Sequence, residues 1–316
     1  MNPQDLARLT KATAAELGFD ACGITNLSGS RYAVALDDWL AAGRHGEMLY
    51  MRRQARQRQH PADVWPAARS VVVVLHNYYH EPPAKPDPYL VSRYAQDIDY
   101  HHVIGEKLRR LGVTIVTAAG EGAFRVYVDS GPLPERELAS RAGLGWLAKN
   151  TMLIHPGLGS FTFIASVLTD VELAKDAPFE ADRCGSCTRC LEACPTDAFP
   201  TPHVLDATRC VSYLTIEARS DVPAPLRADV GDNLFGCDIC QEVCPWNVRF
   251  ARETAEPRYR PRPASHWPTL EEILALDAEA FERRFGDTAI ERSRLSGLQR
   301  NARVVLENRR RETGGD

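Results

Sequence analysis

Eight of the nine cysteines fall between residues 184 and 244, and their spacing is the strongest chemical statement in the chain. The first run is Cys184-x2-Cys187-x2-Cys190-x3-Cys194-Pro195. Three thiolates at that spacing take three corners of a [4Fe–4S] cube, and the fourth reaches the other cluster of a pair. A second run is therefore required, and "LFGCDICQEVCPW" supplies it. Laid on the first, Cys237, Cys240, Cys244 and Pro245 fit its second, third, fourth and proline positions. Leu234 stands where the first cysteine belongs and cannot bind iron. Cys210, in "DATRCVSYL", is the only nearby replacement. Counting then assigns Cys184, Cys187, Cys190 and Cys244 to one cluster, and Cys194, Cys210, Cys237 and Cys240 to the other. Zinc sites favour separated cysteine pairs, so a threefold run closed by Cys-Pro argues for iron and sulfide. Cys22, in the apolar "FDACGIT", reads as a small buried hydrophobe.

Two clusters that share their cysteine runs are neighbours and pass electrons singly. A ferredoxin needs little more, yet roughly 170 residues precede the first run. In that stretch residues 3–17 read as a helix, with Asn2 as N-cap, Pro3 in the first turn and Gly18 as the stop. Strand-like runs follow at 70–79, 113–118, 124–129 and 160–169, with helical patterns at 100–111 and 135–142. Strands alternating with helices predict an α/β or α+β unit. The composition changes at "ELAKDAPFEADRCG", and the Arg/Pro-rich stretch after Trp246 reads as irregular. Two helices are predicted to follow: one opening at Thr269 with Glu272 in a capping box, and a last one, "SGLQRNARVVLENRRR", with a basic polar face.

Several electron acceptors are excluded by the residues. "GLGWLA" at 143–148 matches a dinucleotide fingerprint but follows a helix rather than a strand, so Gly143 reads as a helix stop. "DYHHVIG" at 99–105 misses the cobalamin-histidine motif of mutases, because Ile104 occupies its glycine position. The N-terminus lacks the apolar core of a signal peptide. The longest strongly apolar run, 71–75, is too short to span a bilayer. A cytoplasmic protein without membrane contact is expected, and in that compartment thiols stay reduced and serve as ligands.

The run "YVDSGPLPERELASRAGLGWLAKNTMLIHPGLGSF", followed by the double cysteine module with "CVSYLTIE" between its halves, resembles the epoxyqueuosine reductases. The likeness extends from about residue 50 to "GLQRNARVVLEN". The resemblance implies an α+β protein with three parts. Residues 1–175 form a cobalamin-binding unit with a nitroreductase-like core. Residues 176–250 form a ferredoxin-like module with two [4Fe–4S] clusters, and 251–316 a short, basic, HEAT-like helical tail. It implies reduction of epoxyqueuosine to queuosine at the wobble position of tRNA by base-off cob(I)alamin, recharged through the clusters. Removing an epoxide oxygen as water needs electrons and a proton source, and the cofactor carries the hard chemistry. Asp129, at the end of "FRVYVD", matches the family's proton donor; without the resemblance it would read as a turn cap. Tyr100 and His101 are second candidates for substrate contact or proton relay. Arg52, Asp129, Lys149, Asn150, Thr151, Leu153, Ser212 and Tyr213 are the cobalamin contacts expected from matching stretches.

The net charge of −4 hides two basic stretches. Residues 44–69 hold six Arg against Glu47 and Asp63, and 283–311 hold nine Arg against Asp287, Glu291 and Glu307. Phosphate contacts supply much of RNA affinity, and a splayed anticodon base suits single-stranded recognition. The expected partners are a tRNA anticodon loop and an unidentified external electron donor, with the protein itself a monomer.

Overall fold

In the run Val71–Leu75 every residue is buried, because this strand is covered on both faces. Alternation sends Val72 and Val74 into one apolar cluster and Val71, Val73 and Leu75 into another. The computed structural model describes residues 1–83 and 85–313. Its main sheet comprises β1 (Ala21–Thr25), β2 (Ser70–Asn77), β3 (Phe124–Val128) and β4 (Thr162–Thr169), in the order β1-β2-β4-β3. Every pairing is antiparallel. The class is therefore α+β, and the strand–helix alternation of the sequence does not become the parallel crossovers of an α/β sheet.

Helices α1 (Pro3–Glu16) and α2 (Tyr100–Ala119) cover one face, and α3 (Glu135–Arg141) covers the other. The strand predicted over 113–118 is instead the C-terminal half of α2. Its β-branched residues mimic a strand, but Ile104, Leu108, Leu111 and Ile115 keep helical spacing and are buried on the sheet. Asp99 caps the helix start by accepting the His101 N–H at 2.8 Å. Gly112 lets α2 lie against the Phe124 ring, where any Cβ would sit 2.3 Å from a ring carbon. Gly143, with φ +79°, follows α3 and ends it.

The irregular stretch after Trp246 returns across α2. Tyr259 is buried beside His76 and Phe163, and Glu256 bonds the buried Lys107 ammonium. Lys107 also lies 3.1 Å from His76 Nε2, and Arg258 donates to Glu256 at 2.8 Å. Removing one partner of a buried charge pair leaves the other uncompensated. Lys107→Met should therefore destabilise by roughly 3 kcal/mol, and thermal unfolding should show a midpoint lower by about 5–10 °C. An unchanged midpoint would contradict the assignment.

Beyond the sheet, α4 (Val211–Ile216) and α5 (Arg294–Thr313) pack together. Thr269 and Glu272 form the predicted capping box at Leu270–Ala275. A further helix, Ala278–Phe285, was not expected. Trp267, Leu270, Phe281, Phe285, Leu298 and Val305 share a core with Tyr89, Val91, Leu234 and Phe235. Among the described residues no helix is long and apolar enough to cross a membrane.

Candidate active site and cluster module

All nine cysteines are free thiols. Cys184, Cys187, Cys190 and Cys244 line one cavity of about 200 Å³. Trp146, Phe179 and Trp246 pack together beside it. Cys237 lies within electrostatic reach of Cys210 and Cys194, and Cys240 of Cys210 and Cys237. Cys240 also faces Cys190, which puts the two sets side by side. Leu234 is buried in the apolar core. Cys210 and Cys244 each occupy the N-cap of a short helix. The backbone N–H groups of Ser212 and Tyr213 point at the Cys210 sulfur, an arrangement that favours negative charge there. Cys22 stands apart in β1, its thiol pushed up to about 12 by burial, as an inert apolar residue should be.

The stretch 149–154, expected beside cobalamin, makes these contacts within the protein. Lys149 Nζ donates to the carbonyls of Gly185 at 2.6 Å and Cys187 at 2.9 Å. Asn150 Nδ2 donates to the Cys240 carbonyl at 3.2 Å. Both side chains thus reach the cysteine loops and line the cavity beside them. Leu153 is buried under the sheet, and Thr151 takes φ +65° in the turn between Trp146–Leu147 and Leu153–Ile154. The reason is local. A hairpin only two residues long on each arm directs its turn at the neighbouring module.

Asp129 ends β3 with φ +57°, a conformation that strains a residue with a side chain by about 1–3 kcal/mol. Its Oδ2 accepts from the Tyr100 hydroxyl at 2.8 Å. The Tyr100 ring stacks on Phe163 at 4.0 Å and on His101 at 4.2 Å. His101 Nδ1 lies 2.7 Å from Asp99 Oδ1. Burial works against its imidazolium, but the Asp99 carboxylate outweighs burial and raises the pKa above the usual histidine value. The three catalytic candidates are thus one connected group at the start of α2 and the end of β3. Phe163 continues to Tyr78 at 4.5 Å. Tyr78 bonds Gln241 and lies within electrostatic reach of Cys240. An aromatic wall therefore joins the acid to the second thiol set.

Two residues at this site carried no signal beyond their charge. Glu135, at the start of α3, accepts the Asp129 N–H at 3.1 Å. Arg58 donates to the carbonyls of Leu133 at 3.0 Å and Gly131 at 3.3 Å. Burial, with the Asp129 charge adding to it, pushes the Glu135 carboxyl up to about 8. The sign of the pH dependence follows. Between about 4.5 and 8 the folded protein keeps a proton that the unfolded chain has lost, so stability falls as pH rises through that window. Glu135→Gln escapes this loss. Its Tm relative to the unmodified protein should therefore rise from pH 5 to pH 8, and a constant difference would refute the shifted carboxyl.

The basic stretches are largely engaged within the protein. Arg300 is buried and donates to the carbonyls of Leu214, Ala218 and Ser220. Arg292 makes two 2.9 Å bonds to Glu217, and Arg309 bonds Asp232 at 2.8 Å. Arg52 and Arg53 are exposed. They lie within the segment 45–58, which links the two halves of the site. At one end the Glu47 N–H donates to the Tyr213 hydroxyl at 2.7 Å; at the other Arg58 holds the Asp129 loop. Within it His45 Nδ1, Gln57 Oε1 and Arg58 Nε are buried without a partner among the described residues.

The geometry agrees with three comparisons. Residues 183–247 match the model of the 4Fe-4S double cluster binding domain, and 58–130 match "Epoxyqueuosine reductase QueG, DUF1730". The epoxyqueuosine reductase of Leadbetterella byssophila is 42% identical over 96% of this chain and 99% of its own length. A crystal structure of epoxyqueuosine reductase with an epoxyqueuosine-modified tRNA-Tyr stem loop superposes with a TM-score of 0.88. It is 30% identical and is matched over 97% of this chain and 82% of that one. The Bacillus subtilis enzyme, with its catalytic aspartate loop swung out of the active site, superposes with a TM-score of 0.87 at 30% identity, over the same shares of the two chains. Identity of 42% across nearly the whole of both chains decides the matter: the chain belongs to the epoxyqueuosine reductase family.

Proposed function

We propose that this protein reduces the epoxide of epoxyqueuosine in the anticodon loop of tRNA to the alkene of queuosine. The observation that carries the reading is the aromatic wall from Asp129 through Tyr100, Phe163 and Tyr78 to Cys240. A proton donor and a redox module so placed suit one reductive step. Both C–O bonds of the epoxide break, a C=C bond forms, and two electrons and two protons carry the oxygen away as water.

Cys184, Cys187, Cys190 and Cys244 hold one [4Fe–4S] cluster, and Cys194, Cys210, Cys237 and Cys240 hold the other. Trp146 donates to Cys184 Sγ at 3.4 Å and the Ala198 N–H to Cys194 Sγ at 3.3 Å, contacts that tune a cluster's potential. Cobalamin, whose rim is lined with amides and carries a phosphate, fits the partnerless polar atoms of 45–58. His45, Gln57, Arg52 and Ser212 would hold it, with Tyr213 fixing the segment. Bound there, it supplies a strongly reducing metal centre. Asp129 delivers a proton to the departing oxygen, Tyr100 orients the carboxyl, and His101, held by Asp99, resupplies the proton. Asp129 is exposed in the protein alone, and the bound substrate would cover it. The Asp129 loop is taken as the counterpart of the loop displaced in the B. subtilis enzyme. Arg52 and Arg53 meet the phosphates of the incoming loop. The enzyme works as a monomer and draws electrons from an external donor.

Nucleoside analysis of tRNA from a strain lacking the gene tests this. Queuosine should disappear and epoxyqueuosine accumulate; unchanged queuosine defeats the reading.

A further inference from the structure

The Asp129 loop, residues 129–134, is fixed by few contacts of its own. Asp129 is exposed, and among the described residues its carboxylate has one hydrogen-bond partner, the Tyr100 hydroxyl. Its backbone is in the left-handed region, which costs a side-chain-bearing residue some strain even though aspartate adopts it more readily than most. Two residues outside the loop hold it. Glu135 Oε1 takes the Asp129 N–H. Arg58, itself anchored to Gln54 Oε1 at 3.3 Å, takes the Gly131 and Leu133 carbonyls. The contacts alternate along the loop at 129, 131 and 133. Leu133 is fully buried, and Gly131 sits so close on the Tyr127 ring that a Cβ there would lie 2.3 Å from a ring carbon. Packing fixes Leu133 at the far end, while residue 129, which carries the acid, is held through Glu135, and Arg58 ties down the carbonyls of 131 and 133 that follow it.

We propose that Glu135 and Arg58 are positioning residues that latch the Asp129 loop inward, and that removing either contact lets the carboxylate leave the site. This rests on Asp129 being the acid. The charged groups facing Glu135 are Asp129 from the strand end, Arg58 from the 45–58 segment and Arg136 from its own helix. Neutral Glu135 accepts the Asp129 N–H without placing a second negative charge against that carboxylate. Ionised Glu135 sets two carboxylates against each other across the latch. The latch is therefore firm at neutral pH and loosens in alkaline solution.

The test uses the holoenzyme with an epoxyqueuosine stem loop and three variants: Glu135→Ala, Glu135→Gln and Arg58→Met. Glu135→Ala and Arg58→Met should lower kcat by about 10–100-fold, the scale for a misplaced catalytic group, with KM changed less than about threefold. Amide exchange over 129–131 should speed up at least about tenfold. Glu135→Gln keeps an acceptor oxygen and should restore most of both losses. It should also flatten the decline in kcat above about pH 8. Exchange over 129–131 unchanged in both disruptive variants overturns the latch, as does faster exchange with unchanged kcat. Iron content and Tm identify a variant that fails to fold, and the other disruptive variant then decides. The exchange measurement needs no substrate. A protein that never converts epoxyqueuosine refutes the proposed function, while the exchange data still decide whether the loop is latched.

Discussion

Asp129→Asn abolishes turnover, with kcat reduced by about 10²–10⁴-fold, the range for removal of a general acid, while iron content and fold are retained. Asparagine is the informative replacement for two reasons. It tolerates the left-handed backbone that this position requires, and its amide oxygen still accepts from the Tyr100 hydroxyl. The loop and its contacts to Glu135 and Arg58 therefore persist, and only the transferable proton is lost. The clusters lie at the far end of the aromatic wall and should keep their visible and electron paramagnetic resonance spectra. Substrate affinity should change little, because the loss falls on the transition state. Full activity in this variant would remove Asp129 from the mechanism.

On the proposed ligand assignment, replacing Cys210 by alanine should remove the fourth ligand of the second cluster and halt electron delivery. The sequence around it offers no substitute: Leu234 is apolar and packed in a core, and Cys22 lies apart in β1 of the main sheet. Iron should fall from about eight towards about four per chain, and epoxide reduction driven by a chemical reductant should be lost. Cys22→Ala is the matched control and should keep the full complement. Eight irons in the Cys210 variant would show that another residue completes the cube.

The two predictions differ in how early their residues could be found. The cluster cysteines are legible because cube geometry dictates ligand spacing along the chain, and Cys210 followed by elimination. The buried strand at 70–77 and the capping box at Thr269 are equally local signals. Where the reading failed, distance was the reason. Val113 to Thr117 carry strand propensity, and only their register against Phe124 and the sheet makes them helical. The bonds of Lys149 and Asn150 run to loops some 35 to 90 residues onward, and no local pattern announces them. Arg300 reads as a basic surface residue but is consumed by three carbonyls, one in the helix Val211–Ile216 and two in the turn after it. Arg58 counted only as one charge of a basic stretch and Glu135 as the start of a helix, and nothing in a single sequence says that they face the Asp129 loop.

The whole account turns on paired iron–sulfur clusters and an acid acting together on an epoxide in RNA. Its most direct measurement is anaerobic incubation of the protein, reconstituted with iron, sulfide and cobalamin, with a chemical reductant and an epoxyqueuosine-bearing stem loop. The RNA is then digested and its nucleosides analysed by mass spectrometry. Conversion to queuosine, one oxygen lighter, is the predicted result; epoxyqueuosine recovered unchanged from fully loaded protein would contradict it.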